Sequence, residues 1–262
     1  MYQFFSKQDR WFSRCGHLEY YVVERAVEGA PAFLRGLRAL FVSDVHVNAA
    51  TTDADLSAFA ERLASIAPDL LLWGGDFADR PEHAGRLLSH LSGVKAPLGS
   101  FGVLGNNDRE AWPEIDALRA VMEGAGIRLL VNEAVELPVN GGTLTLAGID
   151  EYSYGKPDAR GLYGEAGAAN RYSLLLSHFP VPPKVMPDLM LCGHTHGGQF
   201  NLLGVTPYTV GFERILFPSR APRMIAGLHS MGGGQVLVSK GIGASRIPLR
   251  VGVRPEIELL QF

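Results

Sequence analysis

Hydrophobic positions along this chain gather into short, nearly continuous runs rather than long alternations. Leu37 to Val42, Leu70 to Trp73, Phe101 to Leu104, Tyr172 to Leu176 and Leu189 to Cys192 are the clearest. Successive side chains on a strand point to opposite faces, so an unbroken apolar run predicts a strand covered on both sides. Between the first three runs the period becomes helical. Leu56, Phe59, Leu63 and Ile66 come after a Thr52/Asp55 capping box and stop before Pro68. Pro81 suits the first turn of a helix burying Ala84, Leu87, Leu88 and Leu91. Ile115, Leu118, Val121 and Met122 make a third stripe that ends at Gly124 and Gly126. Strand-helix alternation of this kind predicts an α/β domain.

The middle of the chain reads differently. Leu129 to Ile149 predicts a hairpin turning at Asn140-Gly141-Gly142. A second β-rich portion is expected at Gln235 to Ser239 and Glu256 to Leu260. Without an internal repeat or a linker-like cluster, residues 1–262 are expected to form a single domain, with 1–17 as a flexible or peripheral N-terminal segment.

Composition narrows the function classes. A 47% hydrophobic content supports a sizeable core. The net charge is -3, with no run of Lys and Arg, which argues against stable nucleic-acid binding and leaves small phosphate compounds open. Cys15 and Cys192 have no metal-ligand spacing and are read as free thiols in a reducing compartment. The N-terminus lacks the apolar core of a signal peptide, and no stretch reaches the ~20 apolar residues of a membrane span. A cytoplasmic protein is expected. The aromatic and basic mixture from Tyr2 to Arg14 has the composition of a segment touching the inner membrane face, although a packed or frayed terminus is the simpler expectation.

The residues directly after each apolar run carry the chemistry. Ser43-Asp44-Val45-His46 comes after the first, Gly74-Gly75-Asp76-Phe77-Ala78-Asp79 after the second and Gly105-Asn106-Asn107-Asp108 after the third. Ser177-His178 and Gly193-His194-Thr195-His196-Gly197-Gly198 come after the last two. In open α/β sheets the carboxyl ends of strands gather at one edge, so these loops should converge. An inventory of Asp, His and Asn without Cys suits Mn, Fe, Zn or Co. Two aspartates, four histidines and an asparagine exceed what one tetrahedral ion needs, and two divalent ions are the natural count. Singly, Gly-Asp is an ordinary turn and a lone His an ordinary structural residue; in this order, each at a strand end, the set points to a metal site.

The ordered set resembles the calcineurin-like metallophosphoesterase superfamily, whose signature runs Asp-x-His, Gly-Asp-x-x-Asp, Gly-Asn-His-Asp/Glu, His, Gly-His-x-His. Leu191 to Gln199, and the ending from Ser239-Lys240-Gly241-Ile242-Gly243 through Arg250 to Pro255-Glu256-Ile257, look like its YkuE/YaeI branch, which includes hydrolases of UDP-2,3-diacylglucosamine. The resemblance covers about residues 18 to 262 and implies a four-layer αββα sandwich of two mixed β-sheets flanked by helices. It implies that Asp44, His46, Asp76 and His196 hold one metal and that Asp76 bridges to a second held by Asn106, His178 and His194. It also implies a bridging hydroxide that cleaves a phosphodiester or pyrophosphate bond, with Asp79 supporting the ligands.

One position departs from the pattern. Asn107 stands where the superfamily carries a histidine, and an amide cannot protonate a leaving oxygen, though it can donate a hydrogen bond to phosphate. Substrates whose leaving group needs little protonation are therefore expected. His229 is the candidate replacement acid and Arg109 a candidate phosphate contact, while His17, His83 and His90 are expected at the surface. The apolar segment 200–217 could wall a cleft for a lipid-linked substrate, or touch a membrane, or pack on the sheet. Two other readings stay open: the same fold as a metal-binding scaffold with weakened catalysis, and a nuclease.

Overall fold

The computed structural model describes residues 12–14, 17–112, 114–164, 166–210, 224–245 and 247–262. In chain order its elements are β1 (Phe12–Arg14), β2 (Tyr21–Ala26), β3 (Arg38–Val42), α1 (Asp53–Ile66), β4 (Leu70–Trp73), α2 (Pro81–Leu91) and β5 (Ser100–Gly102). Then come α3 (Asn106–Ala111), α4 (Ile115–Gly124), β6 (Arg128–Leu129), β7 (Glu133–Val139), β8 (Gly142–Gly148) and β9 (Arg171–Leu176). β10 (Leu189–Cys192), β11 (Gly227–Met231), β12 (Gly234–Val238), β13 (Leu249–Val251) and β14 (Glu256–Gln261) complete the set. The predicted capping box is formed: the Thr52 side chain accepts from Asp55 N–H, and Asp55 accepts from Thr52 N–H. The predicted hairpin is β7–β8, with Asn140 and Gly141 both left-handed in the turn.

Two six-stranded mixed sheets result, ordered β2-β14-β3-β4-β5-β6 and β11-β12-β10-β9-β8-β7, beside a two-stranded ribbon of β1 and β13. The unbroken apolar runs now have their physical reason. In β3, Ala39 and Phe41 join Leu70 and Leu72 of β4 and Leu174 and Leu176 of β9 in a core between the sheets. Their alternates Leu40, Val42, Leu71 and Trp73 turn the other way, onto Leu56 and Phe59 of α1, Leu87 of α2 and Leu118 and Met122 of α4. The outer face of the second sheet, with Leu175, Met190, Cys192 and Val238, is covered among the described residues by Met186, Met224, Leu162 and Tyr163 from connecting segments. Cys192 is a buried free thiol. Cys15 and the N-terminal aromatic and basic residues Tyr2 to Trp11 lie outside the described residues.

Parallel β3, β4 and β5 deliver their C-terminal ends to one edge of the first sheet, and parallel β9 and β10 do the same in the second. Those ends carry the candidate residues.

Candidate metal centre

Five chain segments meet at that edge, and the backbone is bent hard to make them meet. Asp44 (φ 53°), His46 (φ 48°), Asp76 (φ 55°), His194 (φ 69°) and His196 (φ 52°) are all left-handed. A non-glycine residue there costs roughly 1 kcal/mol or more, and such strain persists only where the surroundings impose it. Here strand pairing continues past the strand ends: Asp44 N–H donates to Gly75 O at 2.9 Å and His46 N–H to Asp76 O at 3.1 Å. Glycines permit the close approach. A Cβ on Gly105 would land on Asp76 Oδ1, and one on Gly193 would land on Ser43 Oγ and Asp44 Oδ2.

Asp44, His46, Asp76, His178 and His196 are almost wholly shielded from solvent, and His194 is half-buried. Asp76 Oδ2 lies 3.3 Å from His46 Nε2 and 3.5 Å from His178 Nε2. Asp44 Oδ1 lies 3.6 Å from His196 Nε2 and 4.0 Å from His178 Nε2. His194 Nδ1 faces His178 Nε2 at 3.1 Å. Each carboxylate therefore spans two imidazoles. Outer contacts fix which ring nitrogen faces inward: His46 Nδ1 meets Asp79 Oδ1 at 3.0 Å, and His178 Nδ1 meets the Gly74 carbonyl at 2.7 Å. Asp44 accepts from Ser43 Oγ–H at 2.6 Å and from His194 N–H at 3.0 Å.

Do these residues fit metal ions? Ligand atoms of Asp44, His46 and His196, and of Asp44, Asp76 and His178, form two groups whose atoms all lie within 4.8 Å of one another. Adjacent ligands at bond lengths of about 2.0–2.2 Å stand roughly 3–3.5 Å apart, close to the spacings here. Asn106 Oδ1 and His46 Nε2 are buried without a hydrogen-bond partner. For His46 Nε2 the 3.3 Å approach to Asp76 is an electrostatic contact rather than a well-formed hydrogen bond. A buried amide oxygen without a partner is a costly arrangement for a dry core and an ordinary one for a cation site. The residues fit.

Protonation agrees with this reading. Burial alone would lower His46 and His178, but Asp76 overrides it, helped by Asp79 and by Asp44 respectively, holding them up at about 10 and about 9. Burial raises Asp44, whereas Asp76 is pulled well below the carboxylate range because His178 and His46 outweigh its own burial. His194 and His196 are pushed down by burial, reinforced by the positive charge on His178 and His46 respectively. Protons on two imidazoles here balance the buried carboxylates.

The remaining candidates take more varied places. Asn107 does not stand free: its Nδ2–H donates to Asp76 Oδ2 at 2.7 Å and its N–H to Asp76 Oδ1 at 2.9 Å. Arg109 shares α3 with Asn106 and brings Nε to 3.7 Å from Asp150 Oδ1. His229 lies on edge strand β11, with Nε2 3.1 Å from the Ala226 carbonyl, on none of the five converging segments. His17 is exposed as expected, but His83 and His90 are half-buried on α2, because that helix packs on α1 and brings His90 Nδ1 to 3.3 Å from Ser57 Oγ. In the 200–217 segment Leu202, Leu203, Val205 and Val210 are exposed, Leu203 by 93%, so they do not pack on the sheet. Phe212, Ile215, Leu216 and Phe217 lie outside the described residues. Sequence reasoning assigned no role to Asp108, whose carboxylate accepts from the N–H groups of Asp76, Phe77 and Gly105 at 2.7, 3.0 and 2.9 Å.

Comparison with known proteins adds an independent line. The sequence profile described as calcineurin-like phosphoesterase matches residues 37–198. Metallophosphoesterase YkuE of Bacillus subtilis is 28% identical over 230 residues, 85% of this chain and 77% of its own. Phosphodiesterase YaeI of Escherichia coli is 31% identical over 238 residues, 86% of this chain and 82% of its own. The UDP-2,3-diacylglucosamine pyrophosphatase LpxG of Chlamydia muridarum is 42% identical over 87 residues, 32% of this chain and 26% of its own.

Proposed function

The chain belongs to the calcineurin-like phosphoesterase family, in its YkuE/YaeI-like branch, and on that premise we propose that it hydrolyses a phosphodiester or pyrophosphate bond with two divalent ions. The observation that carries the reading is the convergence of five buried residues, Asp44, His46, Asp76, His178 and His196, in two groups of mutually close ligand atoms, with Asn106 Oδ1 left without a hydrogen-bond partner.

Asp44, His46, Asp76 and His196 would hold one ion, and Asp76, Asn106, His178 and His194 the other. Ions held there supply Lewis-acid stabilisation to a phosphoryl group and acidify a water to near-neutral pKa. An all-O/N set suits Mn, Fe, Zn or Co. The protein's own part is to fix the ligands. Asp79 and the Gly74 carbonyl accept from Nδ1–H of His46 and His178, which directs each Nε2 inward and would leave it the ligand atom once the second proton is lost. The Asn107 amide, engaged with Asp76, donates without carrying a transferable proton. A leaving group must therefore depart largely unprotonated, which favours a pyrophosphate or an aryl diester over an alkyl monoester. The exposed Leu202, Leu203, Val205 and Val210, directly downstream of the histidine pair, favour a lipid-linked phosphate compound.

The test uses metal-stripped protein with Mn, Zn, Fe and Mg restored separately. Bis(p-nitrophenyl) phosphate, p-nitrophenyl phosphate and a pyrophosphate-linked lipid beside its water-soluble counterpart are the substrates. Activity should return with a transition metal, favour diester over monoester and lipid over soluble pyrophosphate, and vanish in Asp76→Asn. A monoester preference would overturn the leaving-group argument, and equal turnover of the two pyrophosphates the lipid one. Turnover that ignores added metal would overturn the whole reading.

A further inference from the structure

The C-terminal stretch Ser239 to Pro255 holds no candidate ligand, yet it is among the most distinctive parts of the sequence. Arg250 lies within it on β13 and is 0% exposed. A guanidinium cannot shed its charge, so burying one requires hydrogen bonds in return. Arg250 Nε–H donates to the Gly243 carbonyl at 2.6 Å, and Nη1–H to the His196 carbonyl at 3.4 Å. Nη2 lies 3.1 Å from His196 Nδ1, and the Gly243 carbonyl lies 3.3 Å from that same nitrogen.

Gly243 in turn is built into the opposite side of the cluster. Its N–H donates to the Asp44 carbonyl at 2.6 Å, and a Cβ on it would meet His46 Cβ at 2.6 Å. With Nδ1 protonated, Nη2 and Nδ1 are both donors and make no hydrogen bond, so the guanidinium grips His196 through its carbonyl and the Asp44–His46 turn through the Gly243 peptide. Gln199 closes the same seam: its Nε2 donates to the Ile247 carbonyl at 2.9 Å, and its Oε1 accepts from Ser245 N–H at 3.1 Å.

We propose that Arg250 is a positioning residue for one of the two ions, cross-bracing His196 against Asp44 and His46 and holding the Gly243 carbonyl where it accepts His196 Nδ1–H, so that Nε2 is the ligand atom. The proposal rests on the two-ion reading above. It gives the C-terminal motif a physical task that ligand counting does not. Bracing and charge act oppositely here. Orientation by the fork strengthens ion binding, whereas a fixed positive charge beside a dication weakens it.

The experiment measures Mn²⁺ binding isotherms on metal-stripped full-length protein, wild type beside Arg250→Lys and Arg250→Met, with a thermal melt of each. Lysine keeps the charge without the planar fork, and methionine keeps neither. Bracing predicts that both variants bind one ion ~10- to 100-fold more weakly while the other ion is little changed, the usual cost of removing an outer contact of a ligand. Wild-type affinity in Lys together with tighter binding in Met would assign Arg250 a charge role and overturn the brace. Unchanged affinity in both would overturn it too. If wild type binds no metal, the two-ion reading itself fails, a distinguishable outcome. Should neither variant fold, zinc-loaded wild type with ¹⁵N-labelled histidine decides. His196 must then show a metal-ligated Nε2 and a protonated Nδ1, and ligation through Nδ1 would refute the proposal.

Discussion

Asp108 carries no proposed ligand atom, yet three backbone amides on two loops end on its carboxylate. Burial raises it to about 7, with the nearby Asp76 charge adding to the effect and the amides of Gly105 and Phe77 opposing it. Its task is mechanical: it fixes the Asp76 turn, itself in a left-handed conformation, against the Gly105 turn that starts α3. In Asp108→Asn an NH₂ group would face backbone N–H donors and leave one of them unsatisfied. A loss of about 2–4 kcal/mol in urea unfolding is expected, with weaker Mn²⁺ binding as a consequence. Unchanged stability would reduce Asp108 to a bystander. The contrast with Asp44 and Asp76 explains what the sequence disclosed at this scale. Those two sit directly after apolar runs and announce themselves by position. Asp108 lies in the motif after the third run, but nothing in that position shows that three amides end on it, and Arg250 acts on a residue 54 positions away.

The same division holds for whole elements. The strands that bear the site, β3, β4, β9 and β10, were legible because both faces are buried and their apolar runs are unbroken. Strands β2, β11 and β13 were not, being edge or ribbon strands with polar, half-exposed faces that propensity barely distinguishes from loop. β14 was anticipated from Glu256 to Leu260, but its periodicity gave no hint that Glu258 is wholly buried. Arg25 on β2 donates to both its oxygens, at 2.7 and 3.1 Å, and Glu256 beside it pairs with Lys240. Burial, aided by the Glu256 charge and countered by Arg25, raises Glu258 from 4.5 to about 7. Between those values the folded protein retains a proton that the unfolded chain has released. Stability from this group is therefore full below pH 4.5 and lost as pH rises through about 7. Urea midpoints for wild type and Glu258→Gln across pH 4.5 to 8 should diverge, the variant falling less steeply with pH. Parallel curves would mean that Glu258 stays ionised throughout.

At the scale of the molecule, the cluster joins the two sheets. Asp44, Asp76 and Asn106 follow strands of the first, Asn106 at the start of α3, and His178, His194 and His196 follow strands of the second. Ions bound there link both halves of the sandwich and favour only the folded state. At a hundredfold excess over Kd each ion would add about 2.7 kcal/mol, or roughly 5–10 °C in Tm for a chain of this size. The protons now balancing the carboxylates set the pH dependence. His46 at about 10 and His178 at about 9 must each lose a proton before ligating. Between pH 6 and 8 a metal therefore displaces protons the cluster would otherwise keep, and it binds more tightly as pH rises. Differential scanning fluorimetry of metal-stripped protein, with and without a fixed Mn²⁺ concentration, should show a larger stabilisation at pH 8 than at pH 6, abolished in Asp76→Asn. A shift that is the same at both pH values would mean that the ions bind elsewhere, on exposed carboxylates already ionised across that range. A shift that survives Asp76→Asn would place them outside this cluster as well. The pH-dependent, Asp76-dependent shift is what a site spanning both sheets requires, because only there do buried imidazoles hold the protons that the metal must replace.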